Sequence, residues 1–299
     1  MTTAAVVEVT NLTYSYGARG QFPAVHQLDL AVQPGELYAL LGTNGAGKTT
    51  SLEAIEGHRR PTSGSVRVFG DDPYDRRAVR PRVGIMLQEV GFAPDLTVAE
   101  SVRLAGAISG RDDRVDRVVS LVGLDAKSET RVVQLSGGER RRLDFAMAVW
   151  GDPALLFLDE PTTGLDPAAR DALWNVIAGL RERGTTIILT THYLEAAQKH
   201  ADRIGLMHRG RLEREGTLEQ LVDDQPAEIR FVAPPGIDLP LAVQATEHGT
   251  SIVKTDDLQR DLTLLLTWAD RGNHRLAELS AAHSSLDDLF RTLTNGDPS

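Results

Sequence analysis

Cysteine is absent from this 299-residue chain, which excludes a disulfide framework and a thiolate metal site and makes a reducing cytoplasm the natural expectation. No apolar run approaches the roughly 20 residues that a membrane-spanning helix needs; stretches such as Leu262 to Leu266 are far too short. Met1 to Thr10 carries no basic residues ahead of an apolar stretch, so neither export nor a span is expected. An excess of positive charge is also missing. The formal net charge is −10, which repels phosphate backbones and anionic lipid. No nucleic-acid partner is expected, and any tie to a membrane is expected to run through a docked protein. Lysine is scarce as well, at four among 32 basic residues, which sets Lys48 apart.

What is present has an ordinary globular balance, 41% hydrophobic and 25% charged, so folding needs no staple. From Val6 to about Asp223, short apolar runs alternate with helical patterns, the mark of strand-helix-strand units and an α/β core. Glu36 to Leu41, Ala154 to Leu158 and Thr185 to Thr190 read as strands; Gly47 to Gly57 and Ala168 to Arg183 read as helices. Between Gly91 and Gly151 strand signals vanish. Val98 to Ile108, Val115 to Val122 and Arg140 to Val149 carry apolar residues at helical period instead, which predicts a helical subdomain at about 90–150.

The core is expected to end near Asp223 to Pro226, giving domains at 1–225 and 226–299. The tail reads as a small α+β domain: a strand at Ile229 to Val232, an irregular stretch punctuated by Pro234, Pro235 and Pro240, a strand at Leu262 to Trp268, and a helix at Ser285 to Leu293. Ser285 and Asp288 are spaced as a capping box at that helix start. No internal repeat or low-complexity segment is present.

Gly42, Thr43, Asn44, Gly45, Ala46, Gly47, Lys48 and Thr49 fit G-x-x-x-x-G-K-[ST], directly after an apolar strand and at the opening of a helix that takes in Thr50. Glycines let successive backbone N–H groups curl around phosphate oxygens, and the helix start adds a positive dipole. Lys48 is placed to reach the β and γ phosphates and Thr49 to ligate magnesium, so the expected ligand is a magnesium nucleotide. A glycine-rich turn with an exposed lysine would satisfy the motif by itself. The segment Leu155 to Glu160 removes that reading, because an apolar strand ending in Asp159 and Glu160 supplies the carboxylates that magnesium-assisted hydrolysis needs. Neighbouring strand residues point to opposite sides. Asp159 is therefore expected to face the metal, and Glu160 to orient or deprotonate the attacking water.

Leu135, Ser136, Gly137, Gly138 and Glu139 precede a helix, with Ser136 and Glu139 spaced as a capping box. Together with the phosphate loop they resemble the signature sequence of ATP-binding cassette (ABC) proteins, and the resemblance covers about Val6 to Asp223. It implies a P-loop ABC ATPase fold: a mainly parallel sheet, antiparallel strands at the N-terminal side, and a helical subdomain. The ligands implied are ATP and Mg2+, with Ser136, Gly137 and Gly138 binding the γ-phosphate held by a second subunit. The family's usual residue at 139 is glutamine, and Glu139 departs from it.

The resemblance also implies Tyr16 as the aromatic on adenine, with Tyr14 a competitor. It implies Gln88 as a contact to magnesium and water, His192 as the histidine that contacts the γ-phosphate and holds the catalytic carboxylate, and Gly164 to Pro167 as a loop between subunits. One copy of each half-site implies a homodimer, or a pair with a related cassette. A separate transmembrane permease is the implied partner, docked on the surface at about Glu89 to Ile108. The protein would then sit peripherally on the inner face of the cell membrane, touching it through the permease only. Ile229 to Gly296 resembles the accessory domain of drug-export cassettes of the daunorubicin-resistance type, which implies export of drugs, antibiotics or lipids. A soluble cassette ATPase without a permease and a regulatory nucleotide-binding module stay open as alternatives. The first normally carries two cassettes or a coiled-coil insertion, and the second would be expected to lack Glu160 or Ser136.

Overall fold

The structure, a computed structural model, describes residues 4–17, 22–87, 91–223, 226–233, 236–243, 245–247, 249–283 and 285–295. It divides into two units, Met1–Glu215 and Gly216–Ser299. The first opens with β1 (Val7–Tyr16), β2 (Phe22–Val32), β3 (Leu37–Gly42), α1 (Lys48–Ile55), β4 (Ser63–Val68), α2 (Arg76–Val79) and β5 (Val83–Met86). Three helices follow: α3 (Val98–Ser109), α4 (Val115–Leu121) and α5 (Gly137–Ala148). The chain then runs through β6 (Leu155–Asp159), α6 (Pro167–Glu182), β7 (Thr186–Thr191), α7 (Leu194–His200), β8 (Arg203–His208) and β9 (Arg211–Gly216).

Two sheets result. β1 lies between β2 and β4 in an antiparallel sheet. The other has the order β5-β6-β7-β3-β8-β9, with neighbours from β5 to β8 parallel. Every residue of β3, β6 and β7 is buried, as in strands covered on both faces, whereas β1 mixes buried and exposed positions. One core joins the two: Leu12 and Leu28 pack in the same cluster as Leu40, Phe157 and Ile188, with Leu52 and Ile55 of α1 among them. This is the expected α/β arrangement. Its register matters for function, because Leu41 pairs with Thr191 and Asp159 with Thr190. The carboxyl ends of β3, β6 and β7 therefore meet at one sheet edge, where parallel sheets bind ligands.

Residues 91–151 contain no strand. α3 and α5 each start on a full capping box. Thr97 Oγ1 accepts from Glu100 N at 3.2 Å, and Glu100 Oε2 accepts from Thr97 N at 2.9 Å. Arg111 ties this helical part to the sheet, donating to Trp150 O at 2.6 Å and to Val83 O at 2.5 Å, while Trp150 Nε1 donates to Arg111 O at 2.9 Å.

The second unit contains α8 (Leu218–Asp223), β10 (Ala227–Val232), β11 (Ala245–Glu247), β12 (Thr250–Thr255), α9 (Leu258–Arg271), β13 (Ala277–Ala282) and α10 (Leu286–Asn295). Its antiparallel sheet has the order β11-β12-β10-β13, and its core holds Ile229, Phe231, Val253 and Leu265. The α+β class is as expected, and so is the α10 cap, where Asp288 N donates to Ser285 Oγ at 3.2 Å.

One element is not as expected. Leu262 to Trp268 is not a strand but the middle of α9, whose N-cap Asp257 accepts from Arg260 N at 3.0 Å. The leucine run 264–266 looks like a buried strand, yet Leu264 and Leu266 are 46% and 45% exposed. Leu258, Leu262, Leu265 and Ala269, spaced four, three and four apart, form the core-facing helical stripe, with Leu265 and Ala269 buried and Leu258 and Leu262 half-buried.

Candidate active site

The phosphate loop is built by two glycines that no other residue could replace without strain. At Gly42, where β3 ends, a Cβ would lie 2.6 Å from Met207 O. Gly47 caps α1 in the left-handed region, at φ +99°, and a Cβ there would lie 2.5 Å from Ala24 O. Gly47→Ala is therefore expected to destabilise the fold by about 1–3 kcal/mol, measured by urea unfolding against wild type.

Lys48, 7% exposed, turns its Nζ back over the loop and donates to Gly42 O at 2.8 Å and Thr43 O at 3.2 Å. Burial lowers its pKa, while Glu160 and Asp159 pull it back up. A cavity of 350 Å3 opens here, lined by Tyr16, Ala24, every residue from Asn44 to Thr50, and Glu160. Tyr16 hydroxyl lies 2.9 Å from Thr50 Oγ1. Tyr14 meets the Tyr16 ring edge-on at 5.0 Å and does not line the cavity.

Asp159 is buried at the end of β6 with Thr190 donating to its carboxylate and Thr49 also hydrogen-bonded to it. Burial raises its pKa; the two threonines and Lys48 act against the rise and Glu160 adds to it. A buried carboxylate beside the Thr49 hydroxyl is the hard-oxygen donor set that magnesium takes alongside phosphate oxygens and water, so these residues fit the ion.

Glu160 departs from strand geometry. Its φ is +51°, and its N–H donates to both Thr190 O and Thr190 Oγ1 at 3.2 Å. The two carboxylates thus separate because the backbone turns left-handed at Glu160, not through the simple alternation of a pleat. Glu160 Oε2 lies 2.8 Å from His192 Nδ1, and Thr163 Oγ1 donates to the same oxygen at 3.4 Å.

Ser136 caps α5. Its Oγ accepts from Glu139 N at 3.2 Å, and Glu139 Oε2 accepts from Ser136 N at 2.8 Å, with Lys127 Nζ at 3.7 Å from the other oxygen. The bonds to Ser136 hold the Glu139 carboxyl below its ordinary range. The carboxylate is committed to the cap. Nothing lies within 4 Å of a Cβ built on Gly137, and only Leu165 approaches one on Gly138, at 3.6 Å, so the tip is open. Ser136, Gly137 and Gly138 are not among the residues that line the cavity with Lys48. Gln88 lies outside the described residues. Asp166 serves as the N-cap of α6, accepting from Ala169 N at 2.9 Å.

Over 290 residues the chain is 35% identical to the daunorubicin/doxorubicin resistance ATP-binding protein of Streptomyces peucetius, covering 91% of this chain and 88% of that one. The chain belongs to the ABC transporter ATP-binding subunits. The ABC transporter family model matches residues 25–163 of this cassette, and a C-terminal domain model for ABC transporter domain-containing-like proteins matches residues 227–285. The cassette is also 39% identical over 228 residues to the Nod factor export ATP-binding protein I of Cupriavidus metallidurans, covering 74% of each chain.

Among solved structures, an ATP-binding subunit of an ABC transporter superposes with a TM-score of 0.67 at 28% identity, covering 72% of this chain and 91% of that one. An ATP-binding cassette in a dimeric, post-hydrolysis state bound to ADP and Pi superposes with a TM-score of 0.66 at 26% identity, covering 71% and 98%. The ABC ATPase fold and the place of this chain among ATP-binding subunits follow from these likenesses. Three residues of the cassette's site escaped the sequence reading. Thr190 and Thr163 touch the carboxylates, and Arg141 donates to the backbone behind them.

Proposed function

We propose that this cassette hydrolyses ATP at a site completed by a second cassette, most simply another copy of itself, and so drives export through a separate transmembrane permease. The observation that carries the reading is the Glu160 carboxylate, held 2.8 Å from His192 at the wall of the phosphate-loop cavity. In this reading Glu160 is the base that takes a proton from the attacking water, and His192 orients it and contacts the γ-phosphate. Lys48 grips the β and γ phosphates, the amides of residues 44–47 and the Thr50 hydroxyl cradle them, and Tyr16 stacks on adenine. Thr49 and Asp159 would hold magnesium, which when bound neutralises charge on the phosphate oxygens. The open Ser136 tip, which does not line the cavity of its own chain, suits contact with the nucleotide of the partner cassette.

The permease is supported by a second feature. A groove of 930 Å3 runs between α2, β5, α3 and α5, with an apolar wall that includes Phe92, Leu96, Leu104 and Ile108. Among the described residues no helix is long and apolar enough to cross a membrane. We place this chain on the cytoplasmic face, held there by the permease. Export is favoured over import by the relatives whose names describe Nod factor export and daunorubicin resistance. We assign residues 226–299 to an accessory domain of that exporter class, and 1–225 to the nucleotide-binding domain.

The test is recovery from membranes. Tagged full-length chain is expected to co-purify from its own cells with a polypeptide of about six apolar spans. Ile108→Asp, at a position 78% exposed on the groove, is expected to cut that recovery by about tenfold with an unchanged melting temperature. Equal recovery of the variant would count against the groove as the dock.

A further inference from the structure

Behind the Glu160 carboxylate lies a guanidinium that the reaction scheme does not use. Arg141 stands in the first turns of α5, just past the Ser136 cap, and its side chain is only 12% exposed. Nη2 donates to Asp159 O at 2.6 Å and to Glu160 O at 2.7 Å, and Nε donates to Pro161 O at 3.4 Å. Nη1 donates to Leu87 O at 2.9 Å and lies 3.5 Å from Asp144 Oδ2, itself buried one helical turn further along α5. Three consecutive carbonyls of the catalytic loop are therefore held by one planar fork, in the geometry that arginine provides and lysine cannot.

The residue in the middle of that run is the strained one. Glu160 is in the left-handed region at φ +51°, a conformation that persists only where its surroundings enforce it. Thr190 takes its N–H from one side and Arg141 donates to its carbonyl from the other. Buried charge pairs contribute little to net stability, so Arg141 with Asp144 is better explained by what the pair holds in place. Burial pushes Asp144 up to about 7 even with Arg141 pulling it down, so the pair is costly to keep. Leu87 and Asp144 also line the 930 Å3 groove, which puts the other end of the fork on the groove wall.

We propose that Arg141, anchored by Asp144, is a positioning residue that locks the Glu160 backbone so that its carboxylate stays on His192, and that it ties this lock to the groove wall at Leu87. The proposal rests on the reading of Glu160 as the base. It concerns how that base is aimed, and Arg141 itself touches no reacting atom.

A double-mutant cycle on ATP hydrolysis by the full-length chain tests it, using radiolabelled ATP to follow slow variants. Arg141→Ala is expected to lower kcat about 10- to 30-fold while KM for ATP moves less than about twofold. Arg141→Lys, which keeps the charge without the fork, is expected to lose about 3- to 10-fold. Because Arg141 acts through Glu160, Arg141→Ala added to Glu160→Gln is expected to slow the single Glu160 variant by no more than about twofold. A double variant slower by the product of the two single effects overturns the positioning role and leaves Glu160 as the base. A wild-type rate for Glu160→Gln alone overturns the base reading and the proposal together. Should Arg141→Ala fail to fold by circular dichroism, Arg141→Lys takes its place in the cycle, with non-additivity again supporting the positioning role and additivity overturning it.

Discussion

Glu160→Gln is expected to bind ATP as the wild type does and to hydrolyse it about 100- to 10,000-fold more slowly, the range that a general base supplies. The amide is nearly the same size and keeps an oxygen for Thr163, so the wall of the cavity is preserved. What it lacks is the capacity to accept a proton. The backbone turn at Glu160 depends on Thr190 and on the main chain, not on the carboxylate, so the loop is expected to hold its shape. A nucleotide shared between two cassettes holds them together until it is hydrolysed, and the variant is therefore expected to accumulate as a dimer on size exclusion with ATP and magnesium. Wild-type turnover would refute the base assignment. A variant that turns over slowly yet stays monomeric at high ATP would leave the base in place and remove the shared site.

The phosphate loop was legible because its residue types are tied to backbone positions. Gly47 must adopt φ +99° against Ala24 O, which only glycine does without strain, so the motif carries its own geometry. The strands that deliver Asp159 and Thr190 were legible from the short apolar runs Leu155 to Leu158 and Ile187 to Leu189, since a sheet covered on both faces demands them. The contacts of Thr190 with the Asp159 carboxylate and the Glu160 N–H were not. They depend on which strands lie side by side, and β7 is adjacent to β6 through a register that local pattern does not encode.

Arg141 was hidden for a related reason. Residues 140–142 are three arginines in a row, and on a helix each points about 100° from the next. Arg140 is exposed, Arg142 donates to Val122 O and Gly123 O at 3.0 and 2.9 Å, and Arg141 alone faces the catalytic loop. Only the fold distinguishes them. The misreading of α9 has the opposite origin: Leu264, Leu265 and Leu266 form a true apolar run, but two of the three face solvent and the helical stripe spans a longer window than the run.

Lys48→Ala is expected to fail at an earlier step than Glu160→Gln, with ATP affinity falling about 10- to 1,000-fold as one or two charge-assisted hydrogen bonds are lost. The lysine is the cation in a pocket whose other charged wall residue is Glu160, with Asp159 close enough to influence its pKa. Without it, two buried carboxylates would face an incoming triphosphate, and the electrostatics would turn from attraction to repulsion. Gly42 O and Thr43 O would also lose their donor, so the loop loses the tie that curls it. Lys48→Arg is expected not to restore binding, because a buried ammonium between two carbonyls leaves no room for a planar fork. Calorimetric titration with ATP and magnesium separates the variants: Glu160→Gln keeps the binding heat and Lys48→Ala loses it. If Lys48→Ala bound ATP at wild-type affinity, the phosphates would have to lie elsewhere, and the assignments of Thr49, Asp159 and Glu160 around them would fall with it.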